Sequence, residues 1–401
     1  MSKRIPVAVA IALILVFCAL TVVLTVSVYL RLYNKSLIFM SQQSKQYTTL
    51  TEIEDLVRAN FNGRINAADE NIYTAKGYVE GLGDKNSFYL TAAEYAGYAA
   101  EVLGTAEGVG IRAEFSSLDS SLKITEVAEG SSAASSRLAV GDKILSVDQK
   151  DVTVNNYGKL LDKLCSGTEG EVRIRLWKAA AAAQTEVSLS LGYQIASVHY
   201  TSAGSVGYIR ISAFYDATVE DFRHALQSLT GAGVSKLILD VRNNASTNYD
   251  AAAKIIDMLV PIATEGSRAI ATAVDANGDT VKVYSSNAES FSIPIAVLIN
   301  DRTDGAAELV AADLRDFLNA KLIGETTAGN AGMQKEFLLE DGSALILTVA
   351  KIKPCVTESY DGTGITPDTE IFLPDFQKDA IETLEHAEDA QYKAALSSFG
   401  S

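Results

Sequence analysis

KLILDV (Lys236–Val241) and IPIAVLIN (Ile293–Asn300) are the two stretches that set the fold. Their apolar residues run consecutively rather than alternating with polar ones, which is the pattern of strands buried on both faces. A helical spacing, Val219, Phe222, Leu226 and Leu229, precedes the first run and is stopped by Gly231 and Gly233. Strands of this kind alternating with helices predict an α/β core with crossover connections, here over residues 193–375.

Upstream the rhythm differs. Val172, Ile174 and Leu176 alternate with Glu171, Arg173 and Arg175, and Val187, Leu189 and Leu191 alternate with serines. That period of two predicts half-buried strands of a small β-rich domain over 104–192, with Ala179–Ala183 as a hairpin connection. Residues 51–103 read as helical, from the spacing of Ile53, Leu56, Val57 and Phe61, with a turn in GLGDKNSFYL (Gly81–Leu90). Residues 376–401 read as an acidic helical tail to which no function attaches.

Ile5–Leu30 is a run of 26 residues without a charge, bounded by Lys3 and Arg4 before it and Arg31 and Lys35 after. A helix needs roughly 20 residues to cross the hydrocarbon layer, and the residues after the run offer no small-residue cleavage site. The expectation is a retained transmembrane signal anchor at 5–30 and a polar stalk at 31–50, with the folded part extracytoplasmic in the cell membrane. Basic residues on both flanks leave the orientation open from charge alone.

The formal charge of −16 argues against a nucleic-acid partner, which would need a basic surface. Of the three cysteines, Cys18 falls in the anchor, leaving Cys165 and Cys355, whose positions establish no disulfide; buried, inert thiols are the simpler expectation. The three histidines are scattered, and no spacing calls for a metal or a cofactor.

Several longer motifs occur in one order: GLGDKNSFYL, EGVGIRAE (Glu107–Glu114), EGSSAASSRLAVGDKILSVDQKDV (Glu129–Val152), LILDVRNN (Leu237–Asn244), GETTAG (Gly324–Gly329) and GITPD (Gly364–Asp368). Together, over residues 51–372, they resemble the carboxyl-terminal processing peptidases, serine peptidases that carry an inserted PDZ domain. The resemblance implies an α/β core with that β-rich PDZ domain, an N-terminal helical segment and one transmembrane helix. It implies that Gly108, Val109, Gly110 and Ile111 form a peptide-binding loop and strand. Glycines there let backbone N–H groups face a terminal carboxylate, and the strand can accept a peptide as a further strand. A helix over 155–165 would form the other wall of the groove.

The same resemblance places a serine nucleophile and a lysine base in the core, and this chain departs from it at both. In TDGAAELVAADLRD (Thr303–Asp316), Gly305 stands where the serine belongs; in TTAGNAGMQ (Thr326–Gln334), Asn330 stands where the lysine belongs, and Gln334 is kept. Glycine offers no nucleophilic oxygen and an amide is not a base. The family follows its Arg-Asn-Asn with Pro-Gly-Gly near the oxyanion, whereas here Ala245, Ser246 and Thr247 follow. Asp304 and Glu308 read as helix-capping residues. The expectation is a pseudopeptidase that binds peptide or protein C-termini without cutting them, alone, as a homo-oligomer, or assembled with an active relative. Two competing readings stay open: a serine endopeptidase rewired through Ser246, Thr247, Thr326 or Thr327, and a structural envelope protein that binds nothing.

Overall fold

The structure is a computed structural model that describes residues 17, 20–26, 47–260, 268–286 and 293–400. Two compact units divide at Asn71/Ile72. In the first, residues 20–26 and 47–60 are helical, and Arg58 pairs with Glu54 one turn earlier at 2.7 Å. Most of the expected anchor and stalk lies outside the described residues. No helix among the described residues is long and apolar enough to cross a membrane.

In the second unit, a six-stranded sheet carries the site. Val198–Ala203 pairs antiparallel with Val206–Ile211. From there Lys236–Asp240, Ile295–Ile299, Lys321–Gly324 and Thr369–Glu370 follow in parallel. Helices Asp216–Gly231, Tyr249–Leu259 and Ala306–Leu318 supply the main core, in which Leu237, Leu239, Val297 and Ile299 are fully buried. The alternate residues Ile238, Ala296 and Leu298 face a second cluster with Tyr392 and Ala395 of helix Ala390–Ser398. The consecutive apolar runs are therefore buried on both faces, as their sequence predicts. The acidic tail is a structural cover for one of those faces. Its Asp389 meets Arg242 at 2.8 Å, and Arg242 also grips Asp240 through Nη2 at 2.5 Å.

A second, antiparallel sheet was not anticipated. Ala344–Pro354 is its long member, pairing with Gly332–Leu338, with Arg268–Val274 and with Phe88–Leu90. The segment 51–103 is thus not helical throughout. After helix Ala67–Glu80 the chain turns and lends a short strand to the core before helix Ala92–Leu103. Three residues of strand are too few to show a period of two against the helical spacing around them.

The β-rich domain is a sheet of Ile111–Ser116, Ser121–Val127, Lys143–Val147, Glu171–Lys178 and Ala183–Ser190, closed by helix Tyr157–Cys165 around its own core. Ala179–Ala182 forms the expected turn between the last two strands. Entry and exit of this domain pair with each other, Thr105–Ala106 against Tyr193–Gln194. Cys165 and Cys355 are free and exposed, so the expectation of buried thiols fails: one ends a helix and the other follows a strand.

Asp313, in helix Ala306–Leu318, is fully buried and neither carboxyl oxygen has a hydrogen-bond partner. Burial, followed by the nearby Asp316 charge, pushes its carboxyl well above the ordinary range. An acid with a raised folded pKa favours folding below its unfolded value and loses that contribution as pH rises. Asp313→Asn removes the ionisation. Its thermal midpoint relative to wild type is expected to climb as pH goes from about 4 to about 8; a constant difference would show that Asp313 does not titrate.

Candidate functional site

Three loops leave the carboxyl ends of adjacent parallel strands: 241–248 after Lys236–Asp240, 300–305 after Ile295–Ile299, and 325–331 after Lys321–Gly324. Crevices of open α/β sheets form at this edge. Gly305, Asn330, Ser246 and Thr247 lie on these loops, so the structure brings together the positions singled out from the sequence.

Glu308 holds them there. Its side chain is fully buried, yet it accepts four hydrogen bonds: from Gly305 N–H at 3.0 Å, Asn330 N–H at 2.8 Å, Gly329 N–H at 2.7 Å and the Thr327 hydroxyl at 2.5 Å. Burial pushes this carboxyl up, while the Thr327 hydroxyl and the three amides pull it back. Taking a carboxylate out of water costs several kcal/mol, and bonds to a charged group return roughly 1.5–3 kcal/mol each, so one capping bond would not offset the burial and four do. Glu308 is more than the capping residue its sequence position suggests: it ties the helix start to the loop of Asn330.

Gly305 sits at the start of helix Ala306–Leu318 with φ 63° and ψ −116°, a sharp strand-to-helix turn of the kind that presents a nucleophile. No side chain is present to use it. A Cβ placed at Gly305 would lie 2.8 Å from the Ser246 carbonyl oxygen. That same oxygen accepts the Ala306 N–H at 2.8 Å. The amide just after the turn, where an oxyanion would look for a donor, is therefore occupied from within by the 245–247 loop.

Asn330 is equally committed. Its side-chain amide donates to Asp304 at 2.7 Å, and its oxygen accepts from Asn86 at 2.9 Å and from Gly332 N–H at 3.0 Å. Gln334 donates to the Asn86 carbonyl at 2.5 Å. Asn86 and Asp304 are the residues that sequence reasoning missed as partners of the site. Asn86 was legible only as part of the turn in GLGDKNSFYL, 244 residues from Asn330. Ser246 Oγ accepts Phe214 N–H at 2.8 Å. Thr327 is held between Glu308 and Ile365 N–H. Among the described residues, no lysine, arginine or histidine hydrogen-bonds Ser246, Thr247, Thr326 or Thr327.

The cleft above these groups is about 480 Å³, with Phe88, Tyr98 and Tyr215 on its walls and Lys85 at its edge. In the β-rich domain, Gly108 N–H donates to the Gly167 carbonyl at 2.9 Å and Val109 N–H to Leu164 at 2.8 Å. Those two amides tie the loop to the end of helix Tyr157–Cys165 and the residues after it, contrary to the expectation that they face a ligand. Gly110 and Ile111 remain beside a cavity of about 160 Å³ with Arg112, Cys165 and Tyr193. Further along the groove, Tyr157 stacks on Phe115 with ring centroids 4.4 Å apart.

This combination defines a PDZ-bearing peptidase fold. Residues 205–371 match the family described as peptidase family S41, and residues 102–160 match the PDZ domain. The chain is 28% identical over 312 residues to a probable CtpA-like serine protease of Staphylococcus haemolyticus, covering 76% of this chain and 60% of that protein. It is 29% identical over 314 residues to the carboxyl-terminal-processing protease of Synechocystis, covering 77% and 71%. A photosystem II D1 C-terminal processing protease structure is 22% identical with a TM-score of 0.47, covering 82% of this chain and 88% of that one. The chain thus carries a peptidase family S41 match and a PDZ match, and it is similar to carboxyl-terminal processing proteases.

A serine at 305 would meet the Ser246 carbonyl, and a lysine at 330 would lie against the Asp304 carboxylate, which favours its protonated, non-basic form. The Gly305→Ser/Asn330→Lys double variant is therefore expected to leave an unfolded protein substrate intact in a gel-based assay. Cleavage is expected only when Asp304→Ala, Ala245→Pro, Ser246→Gly and Thr247→Gly are added, which frees the lysine and reopens the loop together. Activity in the double variant alone would show that the loop does not close the site.

Proposed function

We propose that this protein is a membrane-anchored extracytoplasmic pseudopeptidase, which binds the C-termini of peptides or proteins through its PDZ domain and does not cleave them. The observation that carries the reading is the Ser246 carbonyl on the Ala306 amide, above a glycine in the place of a nucleophile. The relatives are named as proteases; the reading departs from them because hydrolysis needs an activated nucleophile with a base in reach. The uncharged run Ile5–Leu30 supports the anchor, and the helical parts of residues 51–103 are the surface offered to a homo-oligomer or to an active relative. Gly110 and Ile111, beside an open cavity, support binding of a chain end by strand addition.

The test uses the full chain in lipid nanodiscs with fluorescent peptides carrying free or amidated C-termini, following anisotropy and mass together. The free acids are expected to bind at least about tenfold tighter than the amides, since one charged end group is worth on the order of 1.4 kcal/mol or more, with no peptide shortened. Reproducible cleavage by the wild-type chain would overturn the pseudopeptidase reading. Equal binding of acid and amide would overturn recognition of the C-terminus.

A further inference from the structure

The reverse face of the sheet holds a second cavity, of about 440 Å³, between strands Val198–Ala203 and Val206–Ile211 and the chain that leads into the last helix. Its floor contains two arginines that are treated in opposite ways. Arg242 is saturated by protein: Nε donates to Asp240 at 2.9 Å, Nη1 to Gln391 at 2.8 Å, and Nη2 reaches both Asp240 and Asp389. Arg210 is only 5% exposed, but its Nε has no partner. Its two other nitrogens make only long contacts, 3.4 Å to the Arg242 carbonyl and 3.5 Å to Glu382.

A buried guanidinium this weakly partnered is costly, and its planar fork is built for bidentate recognition of an anion. Glu382 does not fill that role, because its side chain is 70% exposed and exposed pairs are worth little. It does show which chemistry the fork meets. A ligand carboxylate taking its place would leave the charge of the cavity unchanged, whereas a dianionic phosphate would add charge beside the buried Asp240 and Asp389. Water in the cavity would make no use of the walls. The apolar part of these is Val198, Ile381 and Leu384 with the rings of Tyr208 and His386, whose centroids stand 4.5 Å apart, while the polar part includes Thr201 and the pair of His199 with Glu129 at 3.4 Å. Apolar walls around a few convergent polar groups are the usual form of a small-molecule site, and the volume is in the usual range.

We propose that this cavity is a binding site for a monocarboxylate with an apolar or aromatic body, held by Arg210 after displacement of Glu382. The carboxylate belongs either to a free acid or to the end of a short peptide. The site is independent of the PDZ groove and of whether the chain cleaves anything.

The probes are 3-phenylpropionate, its neutral amide, and N-acetyl-Leu-Phe, titrated calorimetrically into the full chain in nanodiscs with empty nanodiscs as blank. Both acids are expected to bind saturably, and the amide at least about tenfold more weakly. Glu382→Gln, at an exposed position that should not disturb folding, is expected to tighten the acids about three- to tenfold by removing the internal competitor. Arg210→Gln is expected to abolish binding, and Arg210→Lys to weaken it through loss of the fork. A preference for N-acetyl-Leu-Phe identifies a chain end as the ligand, and a preference for 3-phenylpropionate a free acid. The Glu382→Gln response separates this site from the PDZ groove. Equal binding of acid and amide, affinity unchanged by Glu382→Gln, or no saturation at millimolar acid would each overturn the proposal.

Discussion

A single buried carboxylate organises the centre of this molecule. Glu308 accepts from the start of its own helix and from three residues of the neighbouring loop, so two chain segments that follow adjacent parallel strands are fixed to one point. Without those donors its burial would cost several kcal/mol. With them it joins the turn at Gly305 to the backbone of Asn330. Everything placed at the edge of the sheet inherits its position from that junction: the cleft, the amide network of Asn330 and Asn86, and the loop that lies over them.

The turn at Gly305 has a geometry that could present a nucleophile, while Ser246, Thr327 and Asn330 beside it are engaged in hydrogen bonds within the protein. At φ 63° a side chain at 305 would be strained by roughly 1–3 kcal/mol, and glycine relieves that strain. Relief in turn permits the Ser246 carbonyl to approach until it bonds the Ala306 amide. Asn330 bridges Asp304 and Asn86 with a neutral amide. The close loop excludes a side chain at 305, and glycine there admits the loop.

Much of this was legible in the sequence, and the reasons it was legible are physical. The runs around Leu237–Val241 and Ile295–Ile299 are apolar at consecutive positions because both faces of the sheet are covered, and they became central strands. The Gly305 and Asn330 positions were found because motifs of known order flank them. What escaped was of two kinds. Contacts made by backbone, such as the Ser246 carbonyl on the Ala306 amide, carry no residue signature. Pairings between distant segments, Asn86 with Asn330 and Phe88–Leu90 with Ala344–Ile346, leave no local periodicity. The acidic tail offered no role in the sequence for the same reason, since the pairing of Asp389 with Arg242 joins distant segments.

The closed oxyanion position can be observed at one atom. Hydrogen–deuterium exchange on the full chain, resolved to the Ala306 amide, reports whether the Ser246 carbonyl occupies it. The account predicts exchange as slow as that of the buried helix amides that follow, unchanged when an excess of unfolded polypeptide is added. Exchange at the rate of an exposed loop, or a change in protection on adding that polypeptide, would contradict it by showing the donor free to meet a substrate.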